Sequence, residues 1–235
     1  MTRVAPYPVH EARVLVTTAV PAERDAVARA FPRTPAGYDL LAVGVGPARA
    51  AAATATALTT AALSGTPYTL VVSAGIAGGF QPGAPVGSLV VADEITAADL
   101  GADTPDGFLP VTELGFGTVS HRPPEALVRD VAAATGARAG TVLTVSTVTG
   151  TAARAEQLSA RHPRALAEAM EGFGVAEAAA AHGVAVLEIR AVSNPVGPRD
   201  RAAWRIGDAL AALTEGFGKL PPVLESWNSH DSHDS

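Results

Sequence analysis

Three polar side chains in this 235-residue chain stand where they could act on one small ligand: Glu23, Glu171 and Asn194. Glu23 follows an apolar run, Glu171 sits within Ala169-Met170-Glu171-Gly172, and Asn194 closes Glu188-Ile189-Arg190-Ala191-Val192-Ser193-Asn194. A carboxylate beside a ligand can take a proton from water as a general base. A second, buried carboxylate must be paired or hydrogen-bonded, and adjacent sugar hydroxyls would satisfy it. A carboxamide carries a donor and an acceptor together, which matches the N7 and O6 edge of a 6-oxopurine.

Each of these residues also has a plain structural reading, and the residues alone leave both open. An acid in the first turn of a helix, as Glu23 would be, interacts favourably with the helix dipole. Glu171 could pair with Arg190, and asparagine at a strand end is a common turn former. The run Gly75-Ile76-Ala77-Gly78-Gly79 reads as a tight turn whose bare backbone a ligand could approach. It lacks the spacing of a dinucleotide fingerprint and the lysine-serine ending of a phosphate loop.

The elements that must position these groups follow from apolar patterning. Arg13 to Ala19, Leu40 to Val43 and Thr69 to Ser73 read as short buried strands, with helices at about Ala22 to Phe31 and from Pro47 to Leu63 between them. A more irregular middle, Thr96 to Phe116, reads as a long loop with short strands. Beyond it come a helix near Pro124 to Thr135, a strand over Ala139 to Ser146 and a helix at Ala152 to Ala160. One long helix, Arg164 to His182, is expected to place Glu171 on a stripe with Val175, Ala178 and Ala179. Val184 to Val192 is a near-continuous apolar strand, and Arg199 to Phe217 reads as the last helix. Alternating strands and helices predict a mainly parallel sheet with its ligand at the carboxyl ends of the strands. The chain is read as one domain over 1–222, with a loose arm at 1–11 and a disordered polar tail at 223–235.

Composition excludes several classes. Net charge is −6 with no lysine or arginine block, so nucleic acid is not an expected partner. The chain has no cysteine, and the His-Asp pairs of the tail lack a folded ligand geometry, so no metal and no cofactor is expected. No apolar run approaches the roughly 20 residues of a membrane helix. A secretory signal is not visible, which makes the cytoplasm the default location.

Five segments, taken in order, resemble the nucleoside phosphorylase and nucleosidase superfamily. They are Ala19-Val20-Pro21-Ala22-Glu23, Gly44-Val45-Gly46-Pro47-Ala48, Ser73 to Gly79, Ala169-Met170-Glu171-Gly172 and Arg190-Ala191-Val192-Ser193-Asn194. The resemblance implies a single-domain, three-layer α/β/α fold around a twisted, mostly parallel mixed sheet. It implies that Glu23 activates water, that Glu171 binds ribose hydroxyls beside Met170, and that Asn194 addresses the purine N7. Gly75, Ile76, Ala77 and Ser193 would line the same site, and the ligand would be a small purine nucleoside. Relatives that act on methylthioadenosine or adenosylhomocysteine carry aspartate in place of Asn194, whereas asparagine is the pattern seen with hypoxanthine or guanine. Ile76 stands where several relatives place serine, and no arginine precedes it in Leu70 to Ser73, so water is favoured over phosphate as the nucleophile. Within the superfamily the closest likeness is to the futalosine hydrolases of menaquinone biosynthesis, on Ser193-Asn194 with Gly197, Arg199, Asp200 and Trp204. Phe173 or Trp204 would replace the base-stacking aromatic missing from Ser146 to Gly150, and Arg199 or Arg201 would meet the substrate's benzoate. Relatives form dimers or larger rings, so a homo-oligomer is expected.

Overall fold

The computed structural model describes residues 13–33 and 35–231, with side chains to residue 227. Strand β1 (Val14–Thr18) is buried at every position, as a strand covered on both faces must be. It pairs in parallel with β2 (Tyr38–Ala42) and with β3 (Leu70–Gly79). Helices α1 (Pro21–Arg29) and α2 (Pro47–Leu63) connect them, each with proline in its first turn, where a missing N–H breaks no helix bond.

Next come β4 (Leu89–Ala97), a hairpin of β5 (Gly101–Thr104) and β6 (Gly107–Pro110), β7 (Ser120–His121) and α3 (Glu125–Thr135). They are followed by β8 (Arg138–Thr144), α4 (Ala152–Arg161), β9 (Ala165–Ala169), α5 (Gly172–Ala181) and β10 (Ala185–Pro195). Helices α6 (Ile206–Gly218) and α7 (Pro221–Asp231) end the described chain.

The sheet runs β2-β1-β3-β9-β8-β4-β10, and β10 returns to pair with β3. Five strands therefore close on themselves, while β1 and β2 form an open wing. Most pairings are parallel, with β4–β10, β3–β9 and β4–β7 antiparallel. On one face α2 and α5 pack over Val71, Val90, Val142 and Val186. On the other, α1, α3, α6 and α7 cover Val14, Leu70, Val72 and Ile189. This is the expected three-layer α/β/α arrangement with a mixed, mostly parallel sheet.

Four local expectations need correction. Arg164 to His182 is not one helix, because Ala165–Ala169 is strand β9, hydrogen-bonded to β8 and β3. Sheet pairing overrides the helix preference of its alanines. Gly75 to Gly79 is not a turn but the end of β3, paired with β10 along its length and with β9 at its tip. The helix expected from Arg199 starts at Ile206, after a short 3₁₀ turn at Arg201–Ala203, and is not the last, since α7 follows it. The tail is helical through Asp231, and Leu224 is fully buried in the core, so the folded domain passes residue 222. The arm at 1–11 and residues 232–235 lie outside the described residues. Among the described residues, no helix is long and apolar enough to cross a membrane.

Candidate active site

At the carboxyl ends of β1, β3 and β10 the chain gathers three carboxylates around one guanidinium. Arg190, 1% exposed on β10, donates from Nε to Glu188 Oε1 at 2.8 Å, from Nη1 to Glu171 Oε2 at 3.4 Å and from Nη2 to Ser73 Oγ at 3.1 Å. Glu188 and Arg190 are two apart on one strand, so they share a face of the sheet. Their mutual neutralisation lets both be buried.

Glu23 completes the group from α1. Its Oε2 accepts from the backbone N–H of Ala19 at 3.0 Å and of Val20 at 3.3 Å, and its Oε1 accepts from Ile76 N–H at 2.9 Å. The helix-start role is therefore real, since one oxygen caps the entry to α1, while the other faces β3. Burial pushes its proton affinity above that of an ordinary carboxylate, and Arg190 and the Ile76 N–H partly oppose this. A Cβ on Gly75 would lie 2.7 Å from both Glu23 Oε1 and Arg190 Nη1. A side chain at 75 would thus intrude between the acid and the guanidinium.

Glu171 occupies the junction of β9 and α5 as the N-cap residue, not a helix interior. Its Oε1 accepts from Gly46 N–H at 3.2 Å. Gly46 has φ 90°, a conformation that favours glycine, and it delivers that N–H from the loop ahead of α2. Arg190, the structural partner the sequence allowed, is thus a partner of Glu171. Met170 beside it is half-buried. Glu188 is 0% exposed and its Oε2 has no hydrogen-bond partner among the described residues. A Cβ on Gly172 would overlap that carboxylate, so glycine is required where α5 begins. Desolvation raises the proton affinity of Glu188, against the pull of Arg190.

Asn194 lies near the end of β10, past a register shift. Val192 stands opposite Ala77, but Asn194 stands opposite Gly78, so one residue is extra on β10. That bulge turns Asn194 to the face opposite Arg190. Its Nδ2 lies 3.4 Å from where a Gly78 Cβ would be, whereas the Gly79 position faces Val192. The Ser193 hydroxyl donates to Asn194 Oδ1 at 2.8 Å, and Nδ2 donates one proton to Pro195 O at 2.9 Å. The second Nδ2 proton is left to be offered over the bare backbone of Gly78.

Of the remaining predicted residues, Ile76 and Ala77 lie on β3 between the Arg190 cluster and Asn194. Phe173 is buried with its ring 5.4 Å from His121, within the α5 layer. The Arg199 guanidinium stacks 5.5 Å above Trp204, and its backbone N–H donates to Gly150 O at 3.3 Å. Neither Phe173 nor Trp204 is brought into the Arg190 cluster.

Residues that the motifs left without a role are Ser73, Glu188 and the pair Thr149–Glu168. Glu188 had a visible signal: two charges spaced by two inside an apolar strand must share one buried face. A groove of about 790 Å³ between β2 and α2 shares no residue with these clusters. Its polar rim, Arg13, Asp39 and Tyr68, is already mutually hydrogen-bonded. Among the described residues, no three His, Asp or Glu side chains are grouped to hold a metal.

A family model described as the phosphorylase superfamily matches residues 9–217. A futalosine hydrolase of Streptomyces coelicolor is 75% identical over 232 residues, covering 93% of this chain and 99% of that protein. One from Acidothermus cellulolyticus is 46% identical over 223 residues, covering 88% and 89%. Among solved structures, a 5'-methylthioadenosine/S-adenosylhomocysteine nucleosidase from Neisseria meningitidis, in complex with methylthio-immucillin-A, superposes with a TM-score of 0.75. It shares 19% identity and covers 91% of this chain and 99% of its own.

Proposed function

The chain belongs to the phosphorylase superfamily, and we propose that it hydrolyses the N-glycosidic bond of futalosine, giving hypoxanthine and dehypoxanthine futalosine in menaquinone biosynthesis. The observation that carries the substrate is the 75% identity to the Streptomyces coelicolor futalosine hydrolase along nearly the whole of both chains.

The site residues fit roles in that reaction. Water adds to the ribose C1' as the C1'–N9 bond breaks, and the bond's electron pair leaves on N9 of the base. Glu23 takes a proton from the water, for which a carboxylate of raised proton affinity is suited. The sugar passes through an oxocarbenium-like state, which the nearby carboxylates stabilise. Glu171, held by Gly46 and Arg190, accepts from the ribose hydroxyls, with Met170 against the sugar. Asn194 donates a hydrogen bond to N7 and stabilises the negative charge on the departing base, which then takes a proton from solvent while Glu23 returns its own to solvent.

Hydrolysis is favoured over phosphorolysis because Arg190 has each of its three nitrogens directed at Glu188, Glu171 and Ser73. Its charge is already balanced and does not present a phosphate site. Arg199 and Trp204 stand on the loop after β10, and we place the benzoate-bearing end of the substrate there. We also place a homo-oligomer contact at Leu114 and Phe116, whose exposed side chains follow the β5–β6 hairpin.

The test is to incubate the protein with futalosine, inosine and methylthioadenosine, with and without phosphate, and to follow the free base by chromatography. Hypoxanthine should appear from futalosine at a rate independent of phosphate. Adenine from methylthioadenosine with futalosine untouched would reject this function, and turnover that requires phosphate would reject hydrolysis.

A further inference from the structure

The buried acid Glu168 takes no part in the chemistry above, yet it stands one strand from Gly78. On β9 it is paired opposite Gly78, and on the other side of Gly78 stands Asn194 on β10. Residues opposite one another in neighbouring strands face the same side of the sheet. Acid, bare glycine and amide therefore form a row across three strands, on the face turned away from Arg190. With strands about 4.8 Å apart, the outer two backbones are separated by roughly 10 Å.

Glu168 does not present its carboxylate to this gap directly. Its Oε1 accepts from the backbone N–H of Thr149 at 2.8 Å, and its Oε2 accepts the hydroxyl proton of the same residue. Thr149 belongs to the loop after β8, which is further tied by Ser146 N–H to Asp99 and by Gly150 O to Arg199 N–H. Both protons that Thr149 owns are thus committed to one carboxylate. What it retains for a ligand is lone pairs alone.

The two ends of the row then have opposite hydrogen-bonding character. Asn194 offers a donor over Gly78, and Thr149 is an acceptor. A 6-oxopurine carries acceptors at N7 and O6 and a donor at N1–H, whereas a 6-aminopurine carries a bare acceptor at N1. We propose that Thr149, polarised by Glu168, accepts the N1–H of the base and so selects a 6-oxopurine against a 6-aminopurine. Thr149 touches the base, and Glu168 is a positioning residue acting through it. This inference rests on the reading of the substrate as a hypoxanthine nucleoside.

Free hypoxanthine and adenine serve as the probes, measured as competitive inhibitors of futalosine cleavage in wild type, Glu168→Gln, Thr149→Val and Thr149→Ser. Wild type should bind hypoxanthine more tightly than adenine. In Glu168→Gln the new amide donates to the Thr149 hydroxyl and frees its proton to point at the base. The hypoxanthine-to-adenine affinity ratio should then fall about tenfold or more, the effect of one reversed hydrogen bond. Thr149→Val should lower the ratio through weaker hypoxanthine binding, and Thr149→Ser should restore it to within about threefold of wild type. An unmoved ratio in both Glu168→Gln and Thr149→Val, or equal weakening of both bases, overturns the inference and leaves the substrate reading standing if wild type still releases hypoxanthine. A wild type that binds adenine better and releases it preferentially overturns both.

Discussion

The two faces of the sheet near the end of β10 solve different problems with different materials. On one, Arg190 binds Glu171, Glu188 and Ser73 beside Glu23, an ionic cluster in which every group is buried and one carboxylate oxygen remains unpartnered. On the other, Asn194 and Glu168 flank Gly78, with a neutral amide on one side and a carboxylate that holds Thr149 on the other. The first arrangement controls where a proton resides, because burial and fixed charge set the affinity of Glu23. The second controls which pattern of donors and acceptors can enter. Changes around Glu23 should therefore strike kcat and its pH dependence, and changes around Gly78 and Thr149 should strike affinity and base choice.

The largest effect is expected from Glu23→Gln, which removes the water activator while preserving the size of the side chain. Turnover should fall by about 10²–10⁴-fold with little change in thermal midpoint; a variant of near-normal kcat would take Glu23 out of the reaction. Gly75→Ala comes next. Its Cβ would sit 2.7 Å from both Glu23 Oε1 and Arg190 Nη1, and displacing either should cost kcat on the order of 10²-fold. If instead KM alone rose, the division between the two faces would be lost.

The pH profile supplies a subtler check. Glu23 acts as a base only when ionised, and its proton affinity is raised, so lowering the pH protonates it sooner than an ordinary carboxylate. The acid limb of kcat/KM should lie above the usual carboxylate range and drop about tenfold per pH unit below its midpoint. A limb at the ordinary carboxylate position would show that another group limits the rate. The smallest change is expected for Gly78→Ala, whose methyl would meet Val196 at 3.0 Å and Asn194 Nδ2 at 3.4 Å. KM should rise about 3- to 10-fold through the crowded donor, with the acid limb unmoved; a shifted limb would join the two faces that the geometry separates.

Much of this was legible in the chain. Val14 to Val16 and Val184 to Leu187 are apolar runs because both faces of their strands are covered, and the charges that follow in β10, Glu188 and Arg190, are buried against each other. The alternation placed Glu23 at a helix start and Asn194 at a strand end, whereas Glu171, read inside a long helix, stands at the junction of β9 and α5. The β9 strand was not legible, since Ala165 to Ala169 has the composition of a helix and becomes a strand only through its bonds to β8 and β3. Helix α7 was hidden by its serines, asparagine and histidine, although Val223, Leu224 and Trp227 fall on one helical face and pack on the core. The Thr149–Glu168 pair is set by tertiary contact, so no local pattern announces it.

The extra residue in β10 has a consequence for redesign. That single insertion flips the side of the sheet on which β10 continues, and it brings Asn194 into the row with Gly78 and Glu168. Base preference could be rewritten by library mutagenesis at Thr149 and Glu168 while Glu23, Glu171 and Asn194 are kept. Regular pairing without the bulge would instead put Ser193 opposite Gly78 and Asn194 opposite Gly79, with the amide on the Arg190 side. The bulge therefore decides from which side of the sheet one strand reads the base, while Arg190 four residues earlier on that strand serves the other side.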